Sequence, residues 1–470
     1  MHTVMKSINH LFRSFIIVCL ALVSCEKEKH PQSVDPEQPA VVVRTISVSF
    51  DTKSTRTELD GTQPKFKNKD LIKLAQVDGE AEPQVCTVKV ENGVASVETT
   101  LEGKLKAVYP HGCAVVSNNK ITGVSVPESQ NGTFGEAHIC MAEQASDDDE
   151  SLEFHNQTPI LRFYVDESIQ VQSITISGIS NPITVKPSSG YFTPSDLDGP
   201  DKRICYAAVP SGMNANDFTF TSTTGTQGTV EQTLKATTSL VDGTMYNIFI
   251  PYYIDLGDAG KWGYCNVGAF LPEEFGKYFL WNEIDGPSLK TNWQEIVPDE
   301  FNVYLNAFNE ESFNPALGSG DAASYHWGED WRVPTKEAME TIIASEDSGK
   351  QFESYYGIYG WKVGNDLFFP AAGHNDFGDS NSFVWEFGSN LDGWYRSSSS
   401  KGTTTRMSYY LLVFDGYPDT IELHINSDDF GYDLDMRCSI RPIYVGGSSE
   451  PDDPKIDMNG TLGPIGKSDL

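Results

Sequence analysis

Three adjacent polar residues and two nearby tryptophans form the clearest candidate ligand-binding group in the chain. His374, Asn375 and Asp376 follow one another directly, and Trp385 and Trp394 come shortly afterwards. Short polar side chains can hydrogen-bond hydroxyl groups, and planar aromatic rings can stack on the faces of sugars. The sequence therefore predicts a ligand-contacting surface in this stretch. The alternative is that both tryptophans belong to the core and the polar residues form a solvated turn.

Residues suited to catalysis are present but are not arranged as an active site. Ser397 to Ser400 are consecutive, yet no Gly-x-Ser-x-Gly turn exposes one of them as a nucleophile. His326, His374 and His424 are dispersed along the chain. The acidic residues 147–150 lack the spaced ligands and turn glycine of a calcium loop, and no cysteines have the Cys-x-x-Cys spacing of a zinc site. We therefore expect no enzyme activity, no metal and no cofactor.

The N-terminal residues indicate export and acylation. An apolar run from Phe15 to Val23 is too short to cross a bilayer and fits a secretory signal over residues 1–24. The letters LVSC, which end at Cys25, resemble a bacterial lipobox. Acylated Cys25 would anchor the protein in the outer membrane, because several acyl chains bind firmly. The alternative is an ordinary signal peptide with a chance cysteine. Residues 25–44 are polar and proline-containing, which predicts a tether.

Charge and cysteine content narrow the partners and the compartment. The net charge is −32, which argues against nucleic acid and against an anionic membrane surface as partners, because both attract basic patches. Export would permit disulfides without requiring them. A length of 470 residues suggests about three domains.

Residues 45–252 have the pattern of β-structure. Ile46, Val48 and Phe50 alternate with polar residues, the period of a half-buried strand. Cys86 lies on the apolar side of a similar strand, so we expect a buried thiol. The dipeptide Asn92-Gly93 predicts a two-residue hairpin turn.

An ordered set of motifs in this region resembles the fimbrillin-like proteins of the Bacteroidetes. After the opening KSTRTELDGTQPKFKNKDLIKLA, the motifs follow in that family's order: AVYPHG, VSVPESQ, LEFHNQTPILRFYV, VQSITISGIS, ICYAAVPSG and LVDGTMYNIFIPY. The resemblance implies two consecutive β-sandwich lobes, with a boundary near residues 125–150. It also implies a role in building or capping fimbriae by strand exchange, with other fimbrial subunits as partners. One departure is Phe66, where the family commonly has tryptophan.

Residues 255–445 are richer in aromatics and glycines and contain a predicted helix. Pro334 ends the preceding segment and Thr335 is a suitable N-cap. The apolar residues that follow recur at helical spacing and predict a core-facing stripe; they are Ala338, Met339, Ile342 and Ile343.

The motifs of this second region resemble the Fibrobacter succinogenes major paralogous domain, which has a C-type-lectin-like α+β fold. The motifs are WGYCNVGAFLPEEFGKYFLWNE, WRVPT, LFFPAAG, GWYRSSS and SIRPI. The resemblance implies that Phe368 to Gly373 are scaffold and that His374 to Asp376 begin a variable ligand loop. Two differences stand out. The family's Tyr-Trp-Ser-Ser is Tyr395-Arg396-Ser397-Ser398 here, and the calcium-binding triplets of sugar-binding lectins are missing. Residues 281–283 look similar to one such motif, but we assign them no calcium.

Formylglycine-generating enzymes share this lectin-like fold and use a reactive cysteine pair. Only Cys265 and Cys438 occur in the region. The resemblance implies that their strands, the first and last of the domain, lie together, so we expect either a structural disulfide or two buried thiols. All the lectin-like motifs lie within residues 255–445, which predicts that this segment folds alone. The composition of residues 446–470 predicts a flexible tail.

The combined interpretation is a mainly β cell-surface lipoprotein adhesin, a fimbrial tip or accessory subunit that binds a glycan or a protein on a host or bacterial surface. Two alternatives stay open. One is an anchored glycan-binding lipoprotein with no fimbrial role, and the other is a degenerate enzyme on the formylglycine-generating fold.

Replacing Cys25 with Ala should release the protein from the membrane fraction, because the thiol that accepts the lipid is lost. Cell fractionation followed by immunoblotting measures this. Cys19→Ala, within the predicted signal, is the matched control and should stay anchored. If the Cys25 variant remains bound as strongly as wild type, the anchor lies elsewhere.

Overall fold

The protein is mainly β. A computed structural model describes residues 42–51, 64–234, 239–279, 288–289, 321–345, 351–364, 366–377, 383–386, 392–400, 408–414, 437–446 and 455–456. The predicted signal peptide, Cys25 and nearly all of the tether lie outside these residues, as do residues 281–283 and His424. Within them, no helix has the length and apolar character needed to span a bilayer.

The first lobe is built around one eight-stranded sheet, in the order β3-β2-β6-β10-β11-β1-β5-β4, with β7 and β8 as a separate hairpin. Strand β9 belongs to the second lobe, and α1 is a single turn. The elements are β1 Arg44–Phe50, β2 Leu71–Gln76, β3 Gln84–Thr87, β4 Lys89–Glu91, β5 Val94–Thr99, β6 Leu105–Tyr109, β7 Ala114–Ser117, β8 Lys120–Val124, β9 Ser129–Gln130, α1 Phe134–Ala137, β10 Cys140–Glu143 and β11 Ser151–Asn156.

The two end strands of the eight-stranded sheet, β3 and β4, are consecutive in the chain. Strand β3 pairs with β2 and β4 pairs with β5, and only Val88 separates β3 from β4. Strand β11 also serves two neighbours, since residues 151–154 pair with β1 and residues 155–156 with β10. The chain therefore passes directly from one end of the sheet to the other at Val88.

The sequence patterns of the first lobe are confirmed by its structure. Ile46, Val48 and Phe50 are all buried, and so is Cys86. Burial raises the pKa of the Cys86 thiol, which makes it an unreactive core residue. The Asn92-Gly93 turn has positive φ at both positions, 50° and 81°, as a type I′ turn requires, and it joins β4 to β5.

The second lobe is a β-sandwich. Its strands are β12 Ile160–Tyr164, β13 Val171–Ser177, β14 Ile183–Val185, β15 Ile204–Ala208, β16 Thr219–Thr224, β17 Gly228–Leu234 and β18 Met245–Ile248. The sheet β15-β12-β18 faces the sheet β17-β16-β13-β14-β9, to which a short strand at Lys455–Ile456 is added beside β17. Phe163 meets Phe220 edge-on across the layers, with ring centroids 5.6 Å apart.

The chain crosses between the lobes three times. Strand β9 already belongs to the second lobe, and the chain then returns to the first lobe for β10 and β11. The final crossing is at residues 157–159, later than the predicted boundary near 125–150. The strand at 455–456 shows that part of the tail predicted to be flexible pairs with the second lobe.

The described residues of the C-terminal region form short sheets and two helices. Its elements are β19 Tyr253–Asp255, β20 Lys261–Gly263, β21 Gly276–Phe279, β22 Ser288–Leu289, α2 Ala322–Trp327, β23 Trp331–Arg332, α3 Lys336–Ala344, β24 Gln351–Tyr355, β25 Ile358–Val363, β26 Leu367–Pro370, β27 His374–Phe377, β28 Phe383–Glu386, β29 Asp392–Ser400, β30 Ser408–Phe414, β31 Cys438–Ser439 and β32 Ile443–Tyr444; the strand at 455–456 is β33. The sheets are β19-β20-β32-β23, β22-β21-β31-β29-β30, β24-β25-β26 and β27-β28.

The helix predicted after Pro334 is confirmed as α3. The Thr335 side chain accepts a hydrogen bond from the amide of Ala338 at 3.3 Å, as an N-cap does. Met339 and Ile342 are fully buried, and Ala338 and Ile343 are partly buried against the same core. The apolar stripe therefore packs inward as its spacing predicts.

The second lobe and the C-terminal region share one hydrophobic core. Tyr164 of β12 stacks on Tyr264 with ring centroids 4.7 Å apart and planes 6° apart. Phe249, just after β18, packs on Trp327 of α2 at 4.8 Å. Each aromatic side chain buries roughly 150–250 Å², so an isolated segment 255–445 would expose much of this seam. The shared core does not support the expectation that this segment folds independently.

A buried ion cluster centred on Arg203 ties the same two parts together. The Arg203 guanidinium pairs with Asp201 in its own lobe and with Glu273 in the C-terminal region, each at 2.7 Å. It also lies 3.6 Å from the ring centroid of Tyr356, at the tip of the β24–β25 hairpin. Burial alone would lower the pKa of Arg203, but the hydrogen bonds that its guanidinium donates to Glu273 and Asp201 outweigh this effect and raise the pKa.

Replacing Arg203 with Met should destabilise the protein by about 3–5 kcal/mol, because two buried carboxylates lose their shared cation. Chemical denaturation measures the free energy of unfolding. Lys89→Met is the control, since it breaks an equally short but exposed pair with Glu98 and should change the stability by less than about 1 kcal/mol. Equal effects of the two substitutions would contradict the proposed importance of the buried cluster.

Candidate ligand-binding site

The candidate site stands on a buried framework formed by β26 and the residues that follow it. Phe368, Phe369 and Ala372 are almost completely buried. The amide of Ala371 donates to the carbonyl of Tyr359 at 2.8 Å. This confirms the prediction that Phe368 to Gly373 are scaffold.

Two buried polar side chains fix the framework through its backbone carbonyls. The Tyr395 hydroxyl donates to the carbonyl of Pro370 at 2.6 Å, and the Arg441 guanidinium donates to that of Phe368 at 2.6 Å. Burial raises the pKa of Tyr395 to about 12, so its hydroxyl stays protonated and can donate. Arg441 also donates to the carbonyl of Gly263 at 3.2 Å, which connects β26 to β20. Sequence inspection missed Arg441; the only signal was a lone arginine in the otherwise apolar SIRPI motif.

The polar residues after the framework lie on a strand, whereas a loop was expected. Gly373 has a φ of 64°, which glycine adopts without strain, and the chain turns there into β27. Strand β27 pairs antiparallel with β28, with His374 opposite Glu386 and Asn375 opposite Trp385. The β-favouring residues 383–385 explain the hairpin, because pairing with them satisfies the backbone groups of residues 374–377.

The backbone of Trp394 also lies next to the start of β27. Its amide donates to the carbonyl of Gly373 at 3.4 Å, next to the start of β27. Its side chain is half-buried and packs against Cys438. The backbones of all five predicted ligand-contacting residues therefore converge beyond the framework. Trp394 itself has a partly structural role, as the alternative interpretation anticipated.

Residues 395–396, where the sequence departs from the Tyr-Trp motif that it resembles, are part of the core. Tyr395 and Arg396 are both almost completely buried. Arg396 Nε donates to the carbonyl of Phe279 at 3.1 Å, which joins β29 to β21. Tyr395 and Arg396 thus both hydrogen-bond neighbouring backbone.

Cys265 and Cys438 are both buried, and no disulfide is formed among the cysteines of the described segments. Their segments do adjoin, because Val267 donates to the carbonyl of Ile440 at 2.9 Å and Phe279 pairs with Cys438. The structure thus has the second of the two predicted alternatives, two buried thiols. Burial raises the pKa of Cys265 far above its usual range, which disfavours a thiolate nucleophile there.

No set of three metal-binding side chains is assembled within the described ranges. In the acidic run, the carboxylate of Asp149 is used within its own loop. It accepts hydrogen bonds from the amide of Ser151 at 2.9 Å and from the amide of Ala145 at 3.2 Å. The arrangement is that of a loop stabilised by its own backbone donors.

The sequence matches no protein-family model and no curated protein. Among solved structures, a candidate cell adhesion protein of Bacteroides uniformis is 11% identical over 45% of this chain and 92% of that chain, with a TM-score of 0.27. One from Bacteroides ovatus is 13% identical over 44% and 91%, with a TM-score of 0.26. A fimbrial assembly protein from Parabacteroides distasonis is 9% identical over 47% and 94%, with a TM-score of 0.25. These values are too low to define the fold or the function of this chain.

Gly393→Ala should disrupt the junction between the framework and β29. A methyl group there would lie 2.7 Å from the carbonyl oxygen of Pro370 and 3.0 Å from the amide of Ala372, and backbone atoms cannot easily give way. We expect a loss of about 1–3 kcal/mol in the free energy of unfolding, measured by chemical denaturation. Gly123→Ala in β8 is the control, because its new methyl group would meet open space. A neutral Gly393 variant would show that β29 does not pack closely on the framework.

Proposed function

We propose that this protein is an anchored cell-surface adhesin, a fimbrial tip or accessory subunit, that contacts a glycan or protein ligand through its C-terminal region. Export and anchoring follow from the predicted signal peptide and Cys25. The ordered fimbrillin-like motifs of residues 45–252 support a role in assembly with other fimbrial subunits. The lectin-like resemblance of residues 255–445 supports ligand contact by that region.

The observation that carries the ligand-binding part is the register of the β27–β28 hairpin. Asn375 is opposite Trp385, and the Trp394 amide is bonded to Gly373 immediately before the hairpin. Polar residues suited to hydroxyl groups and aromatic residues suited to sugar rings are thus adjacent on one short element.

Rigid support strengthens this proposal. The hairpin follows directly from the buried framework at residues 368–373, which Tyr395 and Arg441 hold through backbone carbonyls. A framework held in this way fixes the place from which the hairpin starts, and a fixed starting point lowers the conformational entropy lost when a ligand binds.

Changing His374, Asn375 and Asp376 together to Ala should abolish binding to the glycan array or host surface that wild type recognises, while the melting temperature stays nearly unchanged. Polar substitutions away from the core usually change stability by less than about 0.5 kcal/mol each. The matched control is the triple change of Lys89, Glu91 and Glu98 to Ala on the first lobe, which should bind as wild type does.

Unaltered binding by a folded His374/Asn375/Asp376 variant would remove the hairpin from the site. The fimbrial role is tested separately, by immunoblotting fimbriae sheared from cells. Absence of the protein from sheared fimbriae, together with its presence in the outer membrane, would support the non-fimbrial alternative.

A further inference from the structure

A cleft of about 610 Å³ lies where the two lobes meet. It is lined by residues of the segment 124–128, which leads from β8 to β9, of 178–183, which leads from β13 into β14, and of 210–213, which follows β15. Thr158, where the chain makes its final crossing between the lobes, also lines it. The volume lies within the roughly 300–1,000 Å³ of small-ligand sites, which often occur between domains.

The segments that line the cleft are held by contacts within the protein. The carbonyl of Glu128 accepts a hydrogen bond from the amide of Thr184 at 2.8 Å, which joins the first segment to β14. Gly178 is packed so closely that a Cβ there would collide with the carbonyl oxygen of Asp217. The cleft is therefore formed without a ligand, which lowers the free energy that binding must spend on rearrangement.

Apolar side chains make up much of the lining. Ile183 is buried, and five other apolar residues are half-buried. Apolar surface that stays partly exposed inside a cleft favours a ligand that covers it with apolar groups. The five half-buried residues are Val124, Val126, Ile179, Pro210 and Met213.

Glu128 is the one charged side chain among the described lining residues, and it is exposed. Its carboxylate favours a cationic group on the ligand, because no basic side chain belongs to the same described lining. The net charge of −32 acts in the same direction, since it attracts basic partners and repels acidic ones.

Exposed polar side chains form the rim of the cleft. Hydroxyl and amide groups can both donate and accept hydrogen bonds, as the peptide groups of a bound segment would require. The rim residues are Ser125, Ser180, Asn181 and Ser211.

We propose that this cleft binds a short aliphatic peptide segment of a partner protein that carries a lysine. The aliphatic side chains of the segment pack on the apolar lining, and the polar rim bonds its peptide groups. The lysine lays its methylene stem along the apolar surface and pairs its ammonium group with the carboxylate of Glu128. This site is separate from the β27–β28 hairpin, so it does not depend on the function proposed above.

Other ligand classes match the lining less well. None of the described lining residues is aromatic, which disfavours the stacking of a sugar, and none is basic, which disfavours an anionic ligand. A wholly apolar segment would partly desolvate the Glu128 carboxylate without supplying a counter-ion. Strand addition would recognise the peptide backbone and be indifferent to the lysine.

Isothermal titration calorimetry of the purified full chain tests the proposal with the peptide acetyl-Val-Lys-Ile-Val-amide. Matched peptides carry norleucine or glutamate in place of the lysine. We expect the norleucine peptide to bind about three- to fivefold more weakly, because an exposed ion pair contributes about that factor, and the glutamate peptide to be weaker still. Raising the salt concentration should weaken binding of the lysine peptide and leave that of the norleucine peptide unchanged.

Two variants separate the charge from the apolar lining. Glu128→Gln should bind the lysine and norleucine peptides equally, whereas Glu153→Gln, at an exposed position on β11, is the matched control and should keep the preference for lysine. Ile179→Ser should weaken binding of both peptides about tenfold, because apolar contact is lost. A cooperative melting curve checks that each variant is folded.

Three results would overturn the proposal: none of the peptides binds, all three bind equally, as strand addition would produce, or the preference for lysine survives in Glu128→Gln. Unchanged affinity in Ile179→Ser would also count against the cleft. The His374/Asn375/Asp376 triple variant should bind the lysine peptide as wild type does; loss of binding there would place the peptide on the hairpin instead.

Discussion

The stack of Tyr164 on Tyr264 and the buried Arg203 cluster beside it join the C-terminal region to the second lobe. Because the two rings are nearly parallel, the second lobe and the C-terminal region meet over a flat apolar contact that could slide. Arg203 prevents sliding, since its planar fork bonds Asp201 and Glu273 at once and has definite directions. The apolar contact stabilises the association of the two parts through burial, and the buried ion cluster selects one relative position for them.

The framework beneath the candidate site is held by main-chain contacts. Tyr395 and Arg441 hold the framework by donating to carbonyl oxygens of Pro370 and Phe368, so the framework side chains can vary in size without losing these bonds. Next to the hairpin, the backbone amide of Trp394 donates to the carbonyl of Gly373. Because the hairpin is separate from the framework, substitutions in the hairpin can change the ligand preference while the fold is preserved.

Local sequence patterns predicted local structure well. The alternation of Ile46, Val48 and Phe50, the Asn92-Gly93 turn and the Thr335 cap each depend on neighbouring residues, and each is found as expected. Features formed by distant residues were not predictable in the same way. The strand order of the first sheet, the return of the chain for β10 and β11 and the pairing of Arg203 with Glu273 join residues far apart in sequence, and no short-range period encodes them. The same holds for the candidate site. Its residues were proposed from their side-chain chemistry, whereas their strand conformation depends on pairing with the partner strand 383–386.

The position of β1 within the first lobe has a mechanical consequence. This first described strand is paired antiparallel with β5 on one side and parallel with β11 on the other. Tension on the chain ahead of Arg44 acts along the strand axis and must shear both ladders together, whereas a strand at a sheet edge can be peeled away one hydrogen bond at a time. The lobe therefore resists extension because many hydrogen bonds are strained simultaneously.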